Sequence, residues 1–568
     1  MIRPTAAVWT PLVFGAFLIA GCVGQADQAG PDVDDDVTSD TRPPTDADPD
    51  VDADPDADPD ADPDADPDVD PDAEPDSGTE TPVGCLHLWE GQESAPVFAP
   101  IGPRLRGESW TVASAGAFDL DGDGCEDFII GSGLEQGRFS ANLEGYGLVT
   151  AISGTTGQLL WQADAPSEIF TAPTITTGES GRTLVVMAGR GGSMVALEPE
   201  TGASVWQVDP GAIVARDEPF NFYTPLVVED VNDDGVPDLV NVYGGDAAAP
   251  AGAPRDASWL VVIDGATGAV LGRRATPDGG ESYTSPILLE RVAADGSTST
   301  AFLFGTGGET LPGSLWVATV ADLMDPDPEP GPDWARHLLD GHDDKGVIAP
   351  PLLADLNGDG VRDVLVSAFG GRVSLLAGPD LVEDWHVTFP GHETSITGAV
   401  TRLPDGSAGV VVLHNDGVFP MYTGATYTVL RGVDGSEVVS RTTGFPFASS
   451  PVTVDLDGDG VDEVVMTWTE VGGHAITGLV RVENLVTGVA QEYEVPFGPT
   501  GTPLVHRAAG HDHVELALVG MATDMDDWHI LPPDWVFERV SLAAQASGPV
   551  TWGAYLGTCG LSWFPCPD

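Results

Sequence analysis

Residues 455–463 read Asp-Leu-Asp-Gly-Asp-Gly-Val-Asp-Glu and lead directly into the apolar run Val464-Val465-Met466. A small residue followed by proline, Ser450-Pro451, precedes this stretch. A short apolar run bounded by turn-forming residues predicts a buried β-strand. The segment therefore predicts two short strands joined by an acidic loop.

The same acidic loop occurs three more times. The copies start at Asp119, Asp230 and Asp355, and the four starts are separated by 111, 125 and 100 residues. Each is followed by an apolar run such as Phe128-Ile129-Ile130. Repetition at a fixed period indicates a repeat architecture. The spacing corresponds to two units of about fifty residues.

A second sequence marker recurs along the chain and also identifies the units that have no acidic loop. It is a pair of residues, usually a small residue and proline, that opens a strand, and successive pairs are 48 to 65 residues apart. The eight openings are Ser114-Ala115, Ala172-Pro173, Thr224-Pro225, Ser285-Pro286, Pro350-Pro351, Gly398-Ala399, Ser450-Pro451 and Thr502-Pro503. The acidic loops follow the first, third, fifth and seventh openings.

These repeats predict an all-β fold, a β-propeller of eight four-stranded blades, or of seven if a terminal unit has another structure. The repeats run from about Ser109 to Gly553, and the propeller is assigned to residues 81–568. A chain of independent β-sandwiches is disfavoured because a fifty-residue unit buries too little surface to fold alone. No segment shows a long helical period.

Each acidic loop offers oxygen ligands at alternate positions, as Ca²⁺ requires. Glycine at the sixth position allows the sharp turn that wraps the chain around an ion. The predicted side-chain ligands are Asp119, Asp121, Asp123, Asp127; Asp230, Asn232, Asp234, Asp238; Asp355, Asn357, Asp359, Asp363; and Asp455, Asp457, Asp459, Glu463. About four calcium ions are therefore expected per chain. The alternative is a set of solvated acidic turns without metal.

The loops are not EF-hands. An EF-hand needs a bidentate Glu at position 12, between two helices. Position 12 is Ile130, Asn241, Val366 or Met466 in these loops. The acidic ninth residue is expected to close the site instead.

With these loops, the chain resembles the FG-GAP/VCBS repeat family, which includes the calcium-binding blades of integrin α-subunits. The resemblance extends over about 440 residues. It implies that the calcium sites are structural and hold the turn between two strands of one blade. The intervening units, such as Met194-Val195-Ala196-Leu197 followed by Thr201-Gly202 and Trp206, also resemble blades of PQQ-type quinoprotein propellers.

The N-terminus resembles a bacterial lipoprotein signal. An apolar stretch ends in Leu18-Ile19-Ala20-Gly21-Cys22 and is too short to span a bilayer comfortably. Residues 1–21 are therefore predicted to be a signal peptide, with Cys22 lipidated and the chain anchored to the membrane. The alternative is an ordinary signal peptide with a chance cysteine. Val23 after Cys22 fits an outer-membrane lipoprotein, which is expected to be exposed at the cell surface.

Residues 22–80 are predicted to be a disordered stalk. Between residues 31 and 80 there are 22 acidic residues and one basic residue, Arg42, in repeats of Ala-Asp-Pro-Asp. The alternative is a low-affinity calcium-binding tract. The chain as a whole carries a net charge of −68, which argues against nucleic acid as a partner.

Four cysteines remain if Cys22 is lipidated. They are Cys85, Cys125, Cys559 and Cys566. An even number in an exported protein suggests two disulfides, and three connectivities are open. A zinc site of the CxxC type is absent from the sequence.

The function expected from the sequence is non-catalytic binding of a protein or glycan at the cell surface. The inserts Asp246–Ser258 and Asp322–Asp333 are candidate contact loops. A periplasm-facing scaffold, resembling propeller lipoproteins that assist outer-membrane protein assembly, is the alternative. A PQQ-type or polysaccharide-acting enzyme is less favoured, because adjacent cysteines and a G-x-S-x-G motif are both missing.

Other candidate residues are interpreted as structural. The histidine-containing segments 342–344 and 510–513 are expected to be polar turns. The tryptophans considered for a ligand surface are expected to pack between blades or close the ring; they are Trp528, Trp535, Trp552 and Trp563.

Overall fold

The computed structural model describes residues 98, 100–134, 145–216, 218–245, 253–292, 298–325, 335–337, 345–419, 421–444, 449–472, 475–507, 514–522, 534–543 and 548–557. All the described residues belong to one compact unit.

Eight antiparallel sheets form the eight blades of a β-propeller, as the eight openings predict. Blade 1 contains β2 (Gly116–Phe118), β3 (Asp127–Leu134), β4 (Tyr146–Ile152) and β5 (Leu159–Ala165). Blade 2 contains β6 (Thr174–Thr177), β7 (Thr183–Ala188), β8 (Met194–Leu197) and β9 (Ser204–Gln207). Blade 3 contains β10 (Asn221–Phe222), β11 (Leu226–Val227), β12 (Leu239–Gly244), β13 (Trp259–Ile263) and β14 (Val270–Ala275). Blade 4 contains β15 (Ile287–Val292), β16 (Thr298–Gly305), β17 (Leu315–Thr319) and β18 (Ala335–His337).

The second half of the ring repeats this plan. Blade 5 contains β19 (Leu352–Ala354), β20 (Asp363–Ala368), β21 (Arg372–Ala377) and β22 (Val382–Thr388). Blade 6 contains β23 (His392–Glu393), β24 (Ala399–Arg402), β25 (Ala408–Val418), β26 (Met421–Arg431) and β27 (Glu437–Thr443). Blade 7 contains β28 (Val452–Val454), β29 (Glu463–Gly472), β30 (Ala475–Asn484), β31 (Ala490–Val495) and β36 (Val550–Trp552). Blade 8 contains β32 (Gly498–Pro499), β33 (Leu504–Arg507), β34 (Val514–Ala522), β35 (Asp534–Ala543) and β1 (Leu105–Gly107).

Each opening pair lies immediately before the innermost strand of a blade, except that Ala399 of the pair Gly398-Ala399 is itself the first residue of β24. Ser285-Pro286 precedes β15, and Ser450-Pro451 precedes β28. Proline suits this position because the start of a strand tolerates the loss of one N–H donor. The second strand of a blade is the most buried, and every residue of β3, β12 and β20 is buried. The apolar runs in the sequence therefore mark the centres of the blades.

Tryptophans join neighbouring blades in three places. Trp161 of blade 1 donates its indole N–H to the Pro199 carbonyl of blade 2 at 2.7 Å, and its ring lies against Gly202. Gly202 has a positive φ of 69°, and a Cβ there would lie 2.4 Å from the ring, so only glycine fits. Trp206 and Trp385 make the same hydrogen bond to the next blade, with Gly265 and Gly432 as the acceptors.

The ring closes through strands from opposite ends of the chain. β1 pairs with β35, with Leu105 opposite Phe537, so the N-terminal side of the unit supplies the outer strand of blade 8. This strand lies before Ser109, where the sequence repeats were expected to start. Across the closure, the Arg539 guanidinium donates to the Gly154 carbonyl of blade 1 at 2.7 Å.

A buried histidine lies in the same closure. His506 of blade 8 contacts Glu515 at 2.5 Å and Glu126 of blade 1 at 2.8 Å. Burial alone would lower the pKa of His506, but the two carboxylates outweigh it and raise the pKa to about 9. The ring is therefore closed by β-pairing and by an ionic cluster between the first and last blades.

The C-terminal segment 548–557 crosses the axis of the ring. β36 pairs with β28, the innermost strand of blade 7. The Val505 N–H of blade 8 donates to the Gly553 carbonyl at 2.7 Å. On the far side, the Tyr555 hydroxyl lies 3.4 Å from the Ser285 hydroxyl at the inner edge of blade 4. Since blades 4 and 8 are opposite in an eight-membered ring, this segment spans the axis.

Helical structure is minor in the described ranges. The α-helix α1 (Val320–Met324) begins at Thr319, whose side chain forms a capping box with Asp322. It occupies the start of the predicted contact loop Asp322–Asp333. None of the helices in these ranges is long and apolar enough to cross a bilayer.

Candidate functional site

The four acidic loops connect β2 to β3, β11 to β12, β19 to β20 and β28 to β29, in blades 1, 3, 5 and 7. In an antiparallel four-stranded blade, this turn lies at the same end as the turn between the third and fourth strands. We call this end of the propeller the acidic-loop face. The alternation of loop-bearing and loop-free blades agrees with the order of the openings.

The first residue of each loop organises the backbone of its own turn. Asp455 accepts hydrogen bonds from the N–H groups of Gly458 and Gly460 at 2.7 and 3.1 Å. Asp119, Asp230 and Asp355 accept in the same way from the glycine at the sixth position. These sixth-position glycines have φ values of 84° to 89°, a conformation that glycine adopts without strain. Each loop is thus folded around its first carboxylate.

The fifth residue of each loop has a fixed local role as well. Its carboxylate accepts the N–H of the residue two positions later, at 2.8 Å in all four loops. The acceptors are Asp123, Asp234, Asp359 and Asp459. In blade 1 the donor is Cys125, which is disulfide-bonded.

The ninth residue ties the acidic loop to the turn between the third and fourth strands. Asp127 is fully buried and accepts from Leu120 N–H at 3.0 Å and Gly154 N–H at 2.8 Å. A Cβ at Gly154 would lie 1.9 Å from the Glu126 carbonyl oxygen, so glycine is required for this approach. Asp238 pairs with Gly265, and Asp363 pairs with Gly378, in the same manner.

Blade 7 joins its acidic loop to the turn between β30 and β31 with different residues. Leu485 stands where the other three blades have this glycine. Glu463 has the longer side chain and accepts instead from the Asn484 side-chain amide at 2.5 Å, while its other oxygen accepts from Leu456 N–H. The longer Glu side chain at the ninth position thus uses a side-chain donor where the other three blades use the N–H of a glycine.

Burial and neighbouring negative charges raise the pKa values of three ninth-position carboxylates. Burial, with Asp121 and Asp123 nearby, raises the pKa of Asp127 to about 6. Burial, with Asp457 and Asp455 nearby, raises the pKa of Glu463 to about 7. The pKa of Asp238 is raised for the same reasons. A cation among these oxygens would favour the ionised forms.

The predicted ligands converge most closely in two blades. Carboxylate oxygens of Asp119, Asp121 and Asp127 lie within 4.8 Å of one another. Those of Asp455, Asp457 and Glu463 do the same. In blades 3 and 5 the third residue is Asn232 or Asn357, whose amide N–H₂ donates to neighbouring carboxylates. Each loop thus brings its predicted ligands to one turn, with three carboxylates converging in blades 1 and 7.

Sequence reasoning missed a cluster on the opposite face of blade 6. His392, His414 and Asp416 each place a potential ligand atom within 4.8 Å of the others. His392 lies 22 residues before His414, and no metal-binding spacing marks them. Only the pairing of β23 with β25 brings them together.

Several predicted residues lie outside the described ranges. These are Cys22, Cys85, Cys559, Cys566, Trp528, Trp563, the histidine-containing segments 342–344 and 510–513, and most of the insert 246–258. Trp535 and Trp552 are buried, at 5% and 9% exposure, and pack between blades as expected.

Residues 106–294 match the family described as outer membrane protein assembly factor BamB. This part of the chain is PQQ-like. The match extends from β1 through blades 1 to 3 into blade 4 and confirms the predicted PQQ-like blades. None of the curated proteins matches the chain.

Solved structures similar to this chain have low sequence identity to it. BamB from Moraxella catarrhalis is 13% identical, with a TM-score of 0.42, covering 78% of this chain and 98% of that one. Quinohemoprotein alcohol dehydrogenase from Comamonas testosteroni is 13% identical, with a TM-score of 0.45, covering 80% and 78%. The Dos1 propeller is 10% identical, with a TM-score of 0.46, covering 80% and 97%. Similarities at this level carry no information on function.

Proposed function

We propose that this protein is a non-catalytic, protein-binding propeller of the bacterial cell envelope, anchored through lipidated Cys22 and stabilised by calcium in its four acidic loops. The main support is the course of segment 548–557. It pairs with β28 and reaches Ser285 on the far side, so chain atoms occupy the axis of the ring. The PQQ-type enzymes that the sequence resembles hold their cofactor at that axis.

Calcium would have a structural role in this protein. In every loop the ninth residue joins two turns of the same blade, which is a structural role. The predicted ligands are all oxygen donors. Burial, and to a smaller extent the neighbouring carboxylates, raises the pKa values of Asp127 and Glu463, and a divalent cation would neutralise the negative charge gathered there. About four ions per chain are proposed.

The partner surface is proposed on the acidic-loop face of blades 5 to 7. Valines in the turns of three successive blades are strongly exposed there, with Val382 at 65%, Val433 at 54% and Val489 at 63%. Val361 and Val486 are exposed on the same face. Exposed apolar side chains gathered at loop tips are typical of interaction surfaces. A protein partner is preferred over a glycan because these groups are aliphatic.

A photo-crosslinking experiment in living cells tests this surface. A photoreactive amino acid at position 433 should give discrete crosslinked protein species. As a matched control, the same group at Val418 should not, because Val418 is 53% exposed but lies on the opposite face. Double substitution of Val382 and Val489 by Asp should abolish the crosslinks. Equal crosslinking from both positions would contradict the proposed surface.

The cellular location separates two forms of the proposal. Display at the cell surface predicts that protease added to intact cells cleaves the Asp-Pro stalk. A role as a periplasm-facing scaffold for outer-membrane protein assembly predicts protection, and it is favoured by the family match over residues 106–294. Turnover of an alcohol or polysaccharide by the purified full chain would refute the non-catalytic proposal.

A further inference from the structure

We propose that blade 6 contains a transition-metal site formed by His392, His414 and Asp416, separate from the acidic loops. It lies at the opposite end of the blade from the acidic-loop face. Its nitrogen and oxygen donors differ from the all-oxygen set of the loops. Two imidazoles and one carboxylate suit Zn²⁺ or another divalent first-row metal rather than Ca²⁺.

Strand pairing places the three side chains on one surface. β23 pairs with β25 so that His392 lies directly opposite Asp416. His414 precedes Asp416 by two residues on the same strand, and residues two apart point to the same face of a sheet. The His392 Nδ1 atom lies 3.0 Å from an Asp416 carboxylate oxygen, and the two histidine rings meet edge to face at 4.7 Å.

One nitrogen of the cluster is buried without a partner. His414 is 4% exposed, and its Nδ1 atom has no hydrogen-bond partner among the described residues. Its other nitrogen, Nε2, lies 3.1 Å from the Thr428 hydroxyl. A hydrogen bond from Nε2–H to that hydroxyl leaves the lone pair on Nδ1, where a metal can bind it. Leaving such a buried nitrogen unpaired is costly, which favours a ligand at this position.

An outer layer of hydroxyl groups holds the ligands in place. The Thr428 hydroxyl, which contacts His414, in turn lies 3.1 Å from the Ser440 hydroxyl. Thr426 donates to the Asp416 carboxylate at 3.1 Å and lies 3.3 Å from the Thr442 hydroxyl. Metal ligands are characteristically oriented by hydrogen bonds of this kind. The Phe389 ring stacks on His414 at 4.1 Å and limits its rotation.

The short strand that carries His392 is anchored from its other side. Glu393 is buried and accepts hydrogen bonds from the Tyr422 hydroxyl at 2.5 Å, Phe419 N–H at 2.8 Å and the Lys345 ammonium at 2.7 Å. These contacts fix β23 against the end of β25. The side chains of His392 and Asp416 remain 32% and 23% exposed, so an ion from solvent can reach the cluster.

The geometry needs only a small adjustment to close around a metal. Ligand atoms of a tetrahedral zinc site are roughly 3.3 Å apart. The His392–Asp416 pair is already near this value, and the cluster as a whole lies within 4.8 Å. Side-chain rotation by His392, the more exposed histidine, can supply the difference. Three protein ligands leave a fourth position for water or a partner's side chain.

Metal titration of the full chain tests the site. The detergent-solubilised protein, carrying an affinity tag without histidines, is saturated with Ca²⁺ to fill the acidic loops and then titrated with Zn²⁺ by calorimetry. We expect one tight zinc site per chain. His392→Ala and Asp416→Asn should each weaken it at least about tenfold. His386→Ala is the matched control, because His386 is 47% exposed in the neighbouring blade, and it should bind zinc like the wild type.

Cobalt provides a readout that a packing role would not produce. Co²⁺ at the site should give visible absorption bands, and His392→Ala and Asp416→Asn should both remove them. Thermal melting and the circular dichroism spectrum of each variant check its fold, and Asp416→Asn keeps the size of the side chain. Absence of a tight zinc site, or zinc binding unchanged in both variants, would overturn the proposal. Neither result depends on the partner surface or on the calcium loops.

Discussion

The acidic loops of blades 1 and 7 differ from those of blades 3 and 5 at the third position. Blades 1 and 7 have Asp121 and Asp457, and three carboxylates converge in each. Blades 3 and 5 have Asn232 and Asn357, whose amides donate to the neighbouring carboxylates. We call the first pair the carboxylate loops and the second pair the amide loops. The same backbone turn is thus built with two different amounts of charge.

The amide loops and the carboxylate loops balance their negative charge in different ways. An amide can satisfy nearby carboxylates by hydrogen bonding, so the amide loops are partly neutralised without an ion. The carboxylate loops have no such internal donor at the third position and depend more on a cation. Since calcium affinity rises with ligand charge, the carboxylate loops should bind more tightly and lose more when calcium is removed.

The largest expected effect is that of removing calcium altogether. A chelator should lower the melting temperature of the full chain by about 10 °C, because each saturated site contributes stability through binding to the folded state alone. Scanning calorimetry with excess Ca²⁺ and with chelator measures the change, and atomic emission counts the bound ions. An identical melting curve in both conditions would mean that the loops are acidic turns without metal.

Removing the first carboxylate should affect the two classes unequally. Asp455→Ala should destabilise the protein by about 3 kcal/mol and Asp355→Ala by about half as much. The Asp455 side chain is the more buried of the two, since Asp455 is 2% exposed whereas Asp355 is half-buried. Denaturant unfolding in Ca²⁺ measures both. Equal losses would indicate that the loops are interchangeable.

Exchanging the third residue should move a loop from one class to the other. Asn357→Asp should raise the calcium affinity of the blade 5 loop roughly tenfold, and Asp457→Asn should lower that of blade 7 by a similar factor. Without calcium, Asn357→Asp should destabilise the protein because like charges then repel. Calcium titration by calorimetry checks the first effect, and melting in chelator checks the second. A stabilising effect of Asn357→Asp in chelator would contradict this account.

The smallest effect is proton release from the carboxylate loops. The pKa of Glu463 is raised to about 7 and that of Asp127 to about 6, above their unfolded values. Without calcium, these groups contribute stability at low pH, and the contribution is lost as pH rises through about 6 to 7. Calcium binding at pH 6 should therefore release about one to two protons per chain.

Calorimetry in buffers of different ionisation enthalpy measures this release. Glu463→Gln should remove the larger share, since Glu463 has the higher pKa. Release should fall at higher pH, where both groups are already ionised. Proton release that is the same at pH 6 and pH 8 would show that these two carboxylates are not responsible.

Local features of the fold could be predicted from the sequence. The opening pairs and the acidic loops act within a few residues, through a proline at a strand start or a carboxylate that accepts nearby N–H groups. Each therefore leaves a visible local pattern, and together they indicated eight blades and the odd-numbered acidic loops. Whether the sixteen predicted ligands bind calcium stays a prediction.

Long-range features left no such pattern. β1 is three residues long and pairs with β35 more than 400 positions away. Segment 548–557 crosses the axis through isolated contacts such as Tyr555 with Ser285. His392 meets Asp416 only because β23 and β25 pair. Strand pairing between distant segments depends on the whole ring and has no local composition to reveal it.

The closure of blade 8 has a mechanical consequence. The N-terminal side of the described unit pairs with β35 even ahead of β1 itself, where the Phe98 and Ile101 N–H groups donate to the Ser541 and Arg539 carbonyls. If the protein is anchored through Cys22 as proposed, tension from the N-terminal side would load the seam of the ring before any other strand. The propeller would open at blade 8 under force, while the axial segment kept blades 4, 7 and 8 linked, so that the ring could reclose when the load was released.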